Sequence, residues 1–179
     1  MIRLFAALDI PDDIGADLQR RQQGLPGARW RPLDALHITL RFYGEVPEAQ
    51  AAELDAELAA VSGRPFEVEL EGVGCFGEGR DIRAVWAGVA ENPALQRLHE
   101  KCEQAARRVG VAPEKRAYRP HLTLAYLNGA DPGRVAAWIQ NHNLLKSPPF
   151  RVTWFGLYSS WLSRGGSRYD LEREYPLIG

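Results

Sequence analysis

His37-Ile38-Thr39-Leu40 and His121-Leu122-Thr123-Leu124 are near-identical tetrapeptides set 84 residues apart in a chain that holds only four histidines and three threonines. Composition alone does not put a threonine two places after two of four histidines. An imidazole takes up and releases protons near neutral pH, and a hydroxyl donates a hydrogen bond to an anion without adding charge. Two such pairs facing each other would form an acid-base couple around one anionic centre.

The elements that must position them follow from the flanking residues. Each tetrapeptide lies in an apolar, β-favouring run, Leu36 to Tyr43 and His121 to Leu127, which reads as a strand. Side chains alternate across a strand, so His37 and Thr39 share one face while Ile38 and Leu40 enter a core, and His121 and Thr123 repeat the arrangement. By the same parity Arg41 is expected to point into the cleft. Basic and aromatic residues gather around both motifs: Arg29, Trp30, Arg31, Arg41, Phe42 and Tyr43 near the first, and Lys115, Arg116, Tyr118, Arg119 and Tyr126 near the second. An aromatic wall stacks a base and an arginine holds phosphate. Taken singly, each also fits a snorkelling surface arginine or a core aromatic.

The rest of the pattern gives an α+β fold. Strands are expected at Ile2 to Leu8, around Trp30, at Phe66 to Glu71, at Ile82 to Val89, at Phe150 to Ser160 and at Tyr169 to Tyr175. Helices are expected from Pro11 to Gln23, Glu48 to Val61, along the Leu95-Leu98-Cys102-Ala105-Val109 stripe, and from Pro132 to His142. Both motif strands follow a strand-helix segment and precede a helix. We therefore read one domain over residues 1–179 made of two interlocked, pseudo-equivalent lobes, each a mainly antiparallel sheet with outer helices, meeting at a central cleft.

Other chemistries lack their residues. Gly72-Val73-Gly74-Cys75-Phe76-Gly77 has the form of a dinucleotide fingerprint, but Glu78, Gly79 and Arg80 lead into another strand instead of a helix whose amides would cradle a pyrophosphate; it reads as a glycine-rich turn between strands. No Walker lysine pattern occurs. Each motif offers one imidazole beside a threonine, too few ligands for catalytic zinc, so no metal or other cofactor is expected. His99 and His142 are expected to face solvent. Twenty-two basic against 23 acidic residues argue against a general polyanion binder. Cys75 and Cys102 match no metal or redox spacing and suit the reducing cytoplasm, and no run approaches a membrane span.

In all of this the sequence resembles the 2H phosphoesterases, specifically the bacterial and archaeal RNA 2′,3′-cyclic phosphodiesterases, also called 2′-5′ RNA ligases. The resemblance spans essentially the whole chain. It rests on both His-x-Thr motifs, the opening Arg3 to Pro11, Arg29-Trp30, Gly44-Glu45-Val46, Gly74-Cys75-Phe76 before Val85-Trp86, Arg119-Pro120, and Leu157-Tyr158-Ser159-Ser160 with Gly166 and Tyr169. It implies a bilobal α+β fold with a central cleft. It also implies metal-independent opening of an RNA or nucleotide 2′,3′-cyclic phosphate to a 2′-phosphate, with His37 as proton donor, His121 as proton acceptor, and Thr39 and Thr123 on the phosphate. Arg41, Phe42, Arg119 and Tyr126 are further candidates for substrate contact. Relatives often carry an arginine where this chain has Tyr126, so a cationic contact is missing or falls to Arg41 or Arg119. RNA ends or nucleotides are the expected partners of a cytoplasmic monomer with no implied protein partner. The reverse reaction, 2′-5′ ligation, and a non-catalytic RNA-binding module are the alternatives.

Overall fold

The computed structural model describes residues 1–179. Ten strands and four helices follow one another as β1 (Ile2–Leu8), α1 (Asp12–Gln19), β2 (Arg29–Trp30), β3 (Ile38–Val46), α2 (Glu48–Ala59), β4 (Phe66–Val68), β5 (Leu70–Phe76), β6 (Ala84–Val89), α3 (Pro93–Arg108), β7 (His121–Tyr126), α4 (Pro132–His142), β8 (Phe150–Val152), β9 (Trp154–Ser163) and β10 (Gly166–Pro176). Every strand pairing is antiparallel. The strand order β10-β9-β1-β3-β7-β6-β5, with β2 added to β7, joins two lobes along one line, and β4 pairs with β8 in a separate ribbon. No helix is long and apolar enough to cross a membrane.

The two lobes meet at a narrow seam. β3 and β7 share a single Cα pair, Ile38 with Leu122, both wholly buried. Elsewhere each strand is held by its own lobe, β3 by β1 and β7 by β6. The lobes also exchange elements: β2, from the first half, pairs with β7, and α3, from the second, packs on β3.

Alternation along β1 shows how the two faces of the sheet differ. Leu4, Ala6 and Leu8 join a main core of 38 buried residues shared with the helices, whereas Phe5 and Ala7 form a small cluster with Tyr158 on the opposite face. That second face carries the motif side chains.

Four expectations are corrected. The first helix ends at Gln19, not Gln23. Phe66 to Glu71 is split, because the chain changes sheets at Glu69 and Leu70 is tied to the Ser147 hydroxyl. The glycine-rich run is strand β5 itself, and the turn comes later, at Gly77 to Asp81. Gly74 has to be small there, because a Cβ would stand 2.5 Å from the Trp86 ring. Neither His99 nor His142 faces open solvent. Both are half-buried, His99 flat against Tyr118 with ring centroids 3.9 Å apart and His142 against Trp138.

Candidate active site

The two motif strands are the same device built twice. Over His37 to Tyr43 and His121 to Leu127 the order of half-buried, buried and exposed residues is identical position by position. Each strand has a bulge three residues after its histidine. In β3, Thr39 pairs with Ala7 and Arg41 with Ala6, leaving Leu40 without a partner; in β7, Thr123 pairs with Trp86 and Ala125 with Val85, leaving Leu124. Outside donors satisfy both stranded carbonyls. His99 Nδ1 donates to Leu40 O at 2.7 Å, and the Arg31 amide and Gln22 Nε2 donate to Leu124 O at 2.8 and 3.1 Å.

The bulge changes parity, and this corrects one expectation. Past it, Phe42 returns to the motif face opposite Phe5 and is 42% exposed, while Arg41 turns to the helix side at 5% exposure. There the Arg41 guanidinium pairs with Glu103 of α3 and donates to the Phe42 and Ala112 carbonyls. Arg41 is thus a buried structural ion pair outside the cleft. Tyr126 is the counterpart of Phe42, on the His121 face and 38% exposed. Arg119 enters through its backbone, its carbonyl accepting from His121 Nδ1 at 2.6 Å, with its side chain exposed.

Continued one residue either side of the seam, the register sets Thr123 opposite His37 and His121 opposite Thr39. All four project from the face away from Ile38 and Leu122. Each is half-buried. His37 lies in an aromatic recess, its ring centroid 4.6 Å from Tyr158, 5.9 Å from Tyr169 and 6.1 Å from Phe5. His121 lies 4.7 Å from Phe76 and 6.3 Å from Trp86. Thr39 is anchored by its carbonyl, which accepts from Tyr118 Oη at 2.8 Å, so its hydroxyl is not the tether.

The imidazoles differ electrostatically. Burial disfavours the imidazolium and brings His37 down to about 4, with Asp34 acting to raise it and Arg31 to lower it further. Its buried Nδ1 has no partner. Burial also lowers His121, opposed by the hydrogen bond to the Arg119 carbonyl. A carbonyl only accepts, so His121 carries its proton on Nδ1 and presents a lone pair at Nε2, the form of a base.

Arg31, which the sequence groups with the basic residues near the first motif but does not single out for substrate contact, stands beside these side chains. The residue is 8% exposed; its guanidinium lies 5.3 Å from the ring centroids of both Tyr126 and Tyr169 and donates to Tyr169 Oη at 3.0 Å. Its partners lie 95 and 138 residues away in sequence, so no local spacing announces them. No group of three histidine, cysteine or acidic side chains converges to hold a metal.

A two-lobed antiparallel α+β scaffold with one His-x-Thr strand from each lobe at its seam defines a 2H phosphoesterase. The profile of the 2′-5′ RNA ligase superfamily matches residues 10–160. The RNA 2′,3′-cyclic phosphodiesterase of Archaeoglobus fulgidus is 31% identical over 171 residues, 94% of this chain and 96% of that one. That of Escherichia coli K12 is 32% identical over 188 residues, 98% of this chain and 96% of its own. Among solved structures, E. coli LigT complexed with 3′-AMP aligns with a TM-score of 0.79 at 28% identity over 99% of both chains. The chain belongs to the 2′-5′ RNA ligase superfamily.

Proposed function

We propose that this protein hydrolyses the 2′,3′-cyclic phosphate of RNA ends or nucleotides to a 2′-phosphate, with His121 as base and His37 as acid. The observation that carries the reading is the seam: the Ile38 and Leu122 pair aims one imidazole and one hydroxyl from each lobe onto a single face. In-line displacement at phosphorus needs a proton removed on one side and another delivered on the opposite side. His121 Nε2 takes a proton from the attacking water, the water oxygen bonds to phosphorus, the bond to the ribose 3′ oxygen breaks, and His37 Nε2 delivers its proton to that oxygen. Thr39 and Thr123 donate to the non-bridging oxygens as charge builds on them, a type of contact whose loss costs roughly 10²–10³ in rate.

The depressed basicity of His37 fits an acid that is loaded with its proton only when an anion arrives. A phosphate monoanion next to the ring favours the imidazolium, and a weakly basic acid releases its proton readily. Names of relatives and the bound nucleotide in LigT support the substrate class. Departure of the 3′ oxygen rests on the family resemblance. We read residues 1–179 as one domain of two interlocked lobes, a cytoplasmic monomer; its two free cysteines fit a reducing compartment.

The test is incubation with 2′,3′-cyclic nucleotides and cyclic-ended oligonucleotides in the presence of a chelator, with 2′- and 3′-phosphate products separated. A 2′-phosphate product supports the reading, a 3′-phosphate reverses the ribose between the histidines, and no turnover refutes it. Added 5′-hydroxyl RNA in the same assay reveals ligation, which uses the same residues in reverse.

A further inference from the structure

Two arginines are buried in this protein, and they are treated differently. Arg41 has a carboxylate, Glu103. Arg31 is as deeply placed and has none: around its guanidinium are two tyrosine ring faces and one phenol oxygen. A guanidinium withdrawn from water without a counter-ion is unfavourable unless an anion joins it, and ring faces compensate only in part.

Its position is fixed and lies beside the seam. The Arg31 amide donates to Leu124 O at 2.8 Å, and its carbonyl accepts from Gln22 Nε2 at 2.9 Å. β2 pairs Arg29 with Tyr126 and Trp30 with Ala125, so Arg31 follows along β7 toward Thr123, the residue the seam sets opposite His37. Tyr169 spans the remaining gap, its hydroxyl on Arg31 and its ring 5.9 Å from that of His37. Arg41 is committed to Glu103, and Arg119 is held to the site by its carbonyl. Arg3, over the Phe42 ring, is exposed, so Arg31 is the buried cation on this face.

We propose that Arg31 is the charged ligand of the reacting phosphate, reaching from β2 over Tyr126 to the non-bridging oxygens that Thr39 and Thr123 also contact. The assignment rests on the reading that the cleft holds a phosphate. It gives Tyr126 a purpose, since a ring at that position supplies a face on which the guanidinium lies flat. The two tyrosines keep the fork planar and pointed, so that it loses little freedom when an oxyanion binds.

The probe is inorganic phosphate, titrated by calorimetry into the protein and into Arg31→Met and Arg31→Lys. Arg31→Met should weaken phosphate binding about 10- to 100-fold, the value of a charge-assisted hydrogen bond. It should also lower kcat/KM by about 10²–10³ on a cyclic mononucleotide and a cyclic-ended oligonucleotide alike, with Arg31→Lys recovering part of both losses. Phosphate affinity unchanged in a normally melting Arg31→Met overturns the assignment. So does a loss confined to the oligonucleotide, which would move Arg31 to a neighbouring phosphate. If Arg31→Met folds poorly, the unaltered protein decides: the Arg31 Nε–Hε NMR resonance should shift as phosphate is added, and a stationary resonance overturns the proposal. An inactive parent protein whose phosphate binding still depends on Arg31 would refute the hydrolase reading alone. An active one whose phosphate binding ignores Arg31 would refute only this assignment.

Discussion

Ile38 and Leu122 are the one Cα pair through which the two lobes' sheets are joined, and the four motif side chains flank that pair. The relation between the two halves of the site therefore depends on apolar packing directly beneath it. Ile38→Ala should cost about 2–5 kcal/mol of stability as a core truncation. At temperatures where the variant is fully folded, kcat/KM should still fall by roughly tenfold or more, because small misplacements of acid against base are expensive. Denaturant unfolding and kinetics on the same preparation would check this. Full activity in a folded variant would show that the seam does not set the geometry.

Gly74→Ala tests the wall behind His121. An added Cβ meets the Trp86 ring, which packs beside both Phe76 and His121. Overpacking of this kind costs about 1–3 kcal/mol, and displacement of the indole should lower kcat/KM with little change in folding at 25 °C. A variant with parental kinetics and a parental melting temperature would mean that Trp86 yields freely.

Arg41→Met separates structure from chemistry. Burial pushes the Glu103 carboxyl up, but Arg41, the Glu114 amide and Arg107 together hold it below the usual carboxylate range, and removing Arg41 takes away the nearest of these. Breaking a fully buried pair costs about 3–5 kcal/mol, and the Arg107 and Glu114 contacts that remain set that as the upper limit here. Melting should therefore drop sharply while KM stays near the parent's value. A raised KM with unchanged melting would return Arg41 to the substrate.

Burial pulls both motif imidazoles below the ordinary histidine range, His37 to about 4. Activity in kcat/KM needs one of them protonated and the other neutral, so its maximum should fall on the acid side of pH 6.5 whichever is the acid. The kcat profile should lie at higher pH, because bound phosphate favours the imidazolium. An optimum of kcat/KM above pH 7.5 with chemistry rate-limiting would contradict this. Stability follows with a definite sign. The unfolded chain takes up the His37 proton near 6.5 and the folded protein near 4, so stability falls as pH drops through that window, by up to ~3 kcal/mol at pH 4. His37→Ala should flatten that acid limb in equilibrium unfolding, and an unchanged limb would mean that His37 protonates normally when folded.

Much of the site was legible in the chain because its signal is local. His-x-Thr spacing survives any fold that keeps the two runs as strands, and strand parity correctly placed Ile38 and Leu122 in the core and the four polar side chains on the other face. Arg41 was misassigned because parity holds only while the ladder is regular. The bulge at Leu40 is stabilised by His99, 59 residues away, and nothing near Arg41 in sequence announces it. The same non-locality hid the partners that distinguish Arg31 from its basic neighbours, Tyr126 and Tyr169, and the aromatic recess, which forms only when β9, β10 and β1 come together behind His37. The glycine-rich run was misplaced because glycine marks a tight approach as readily as a turn, and at Gly74 the neighbour is an indole.

The central claim is that His37 and His121 serve one transition state as a pair. The direct measurement is kcat/KM for a 2′,3′-cyclic nucleotide with His37→Ala, His121→Ala and the double variant, each checked for folding. The account predicts that each single change removes most of the activity and that the double variant is little worse than either, since groups acting as a unit are strongly non-additive. Near-normal turnover in either single variant, or losses that simply multiply in the double variant, would contradict it.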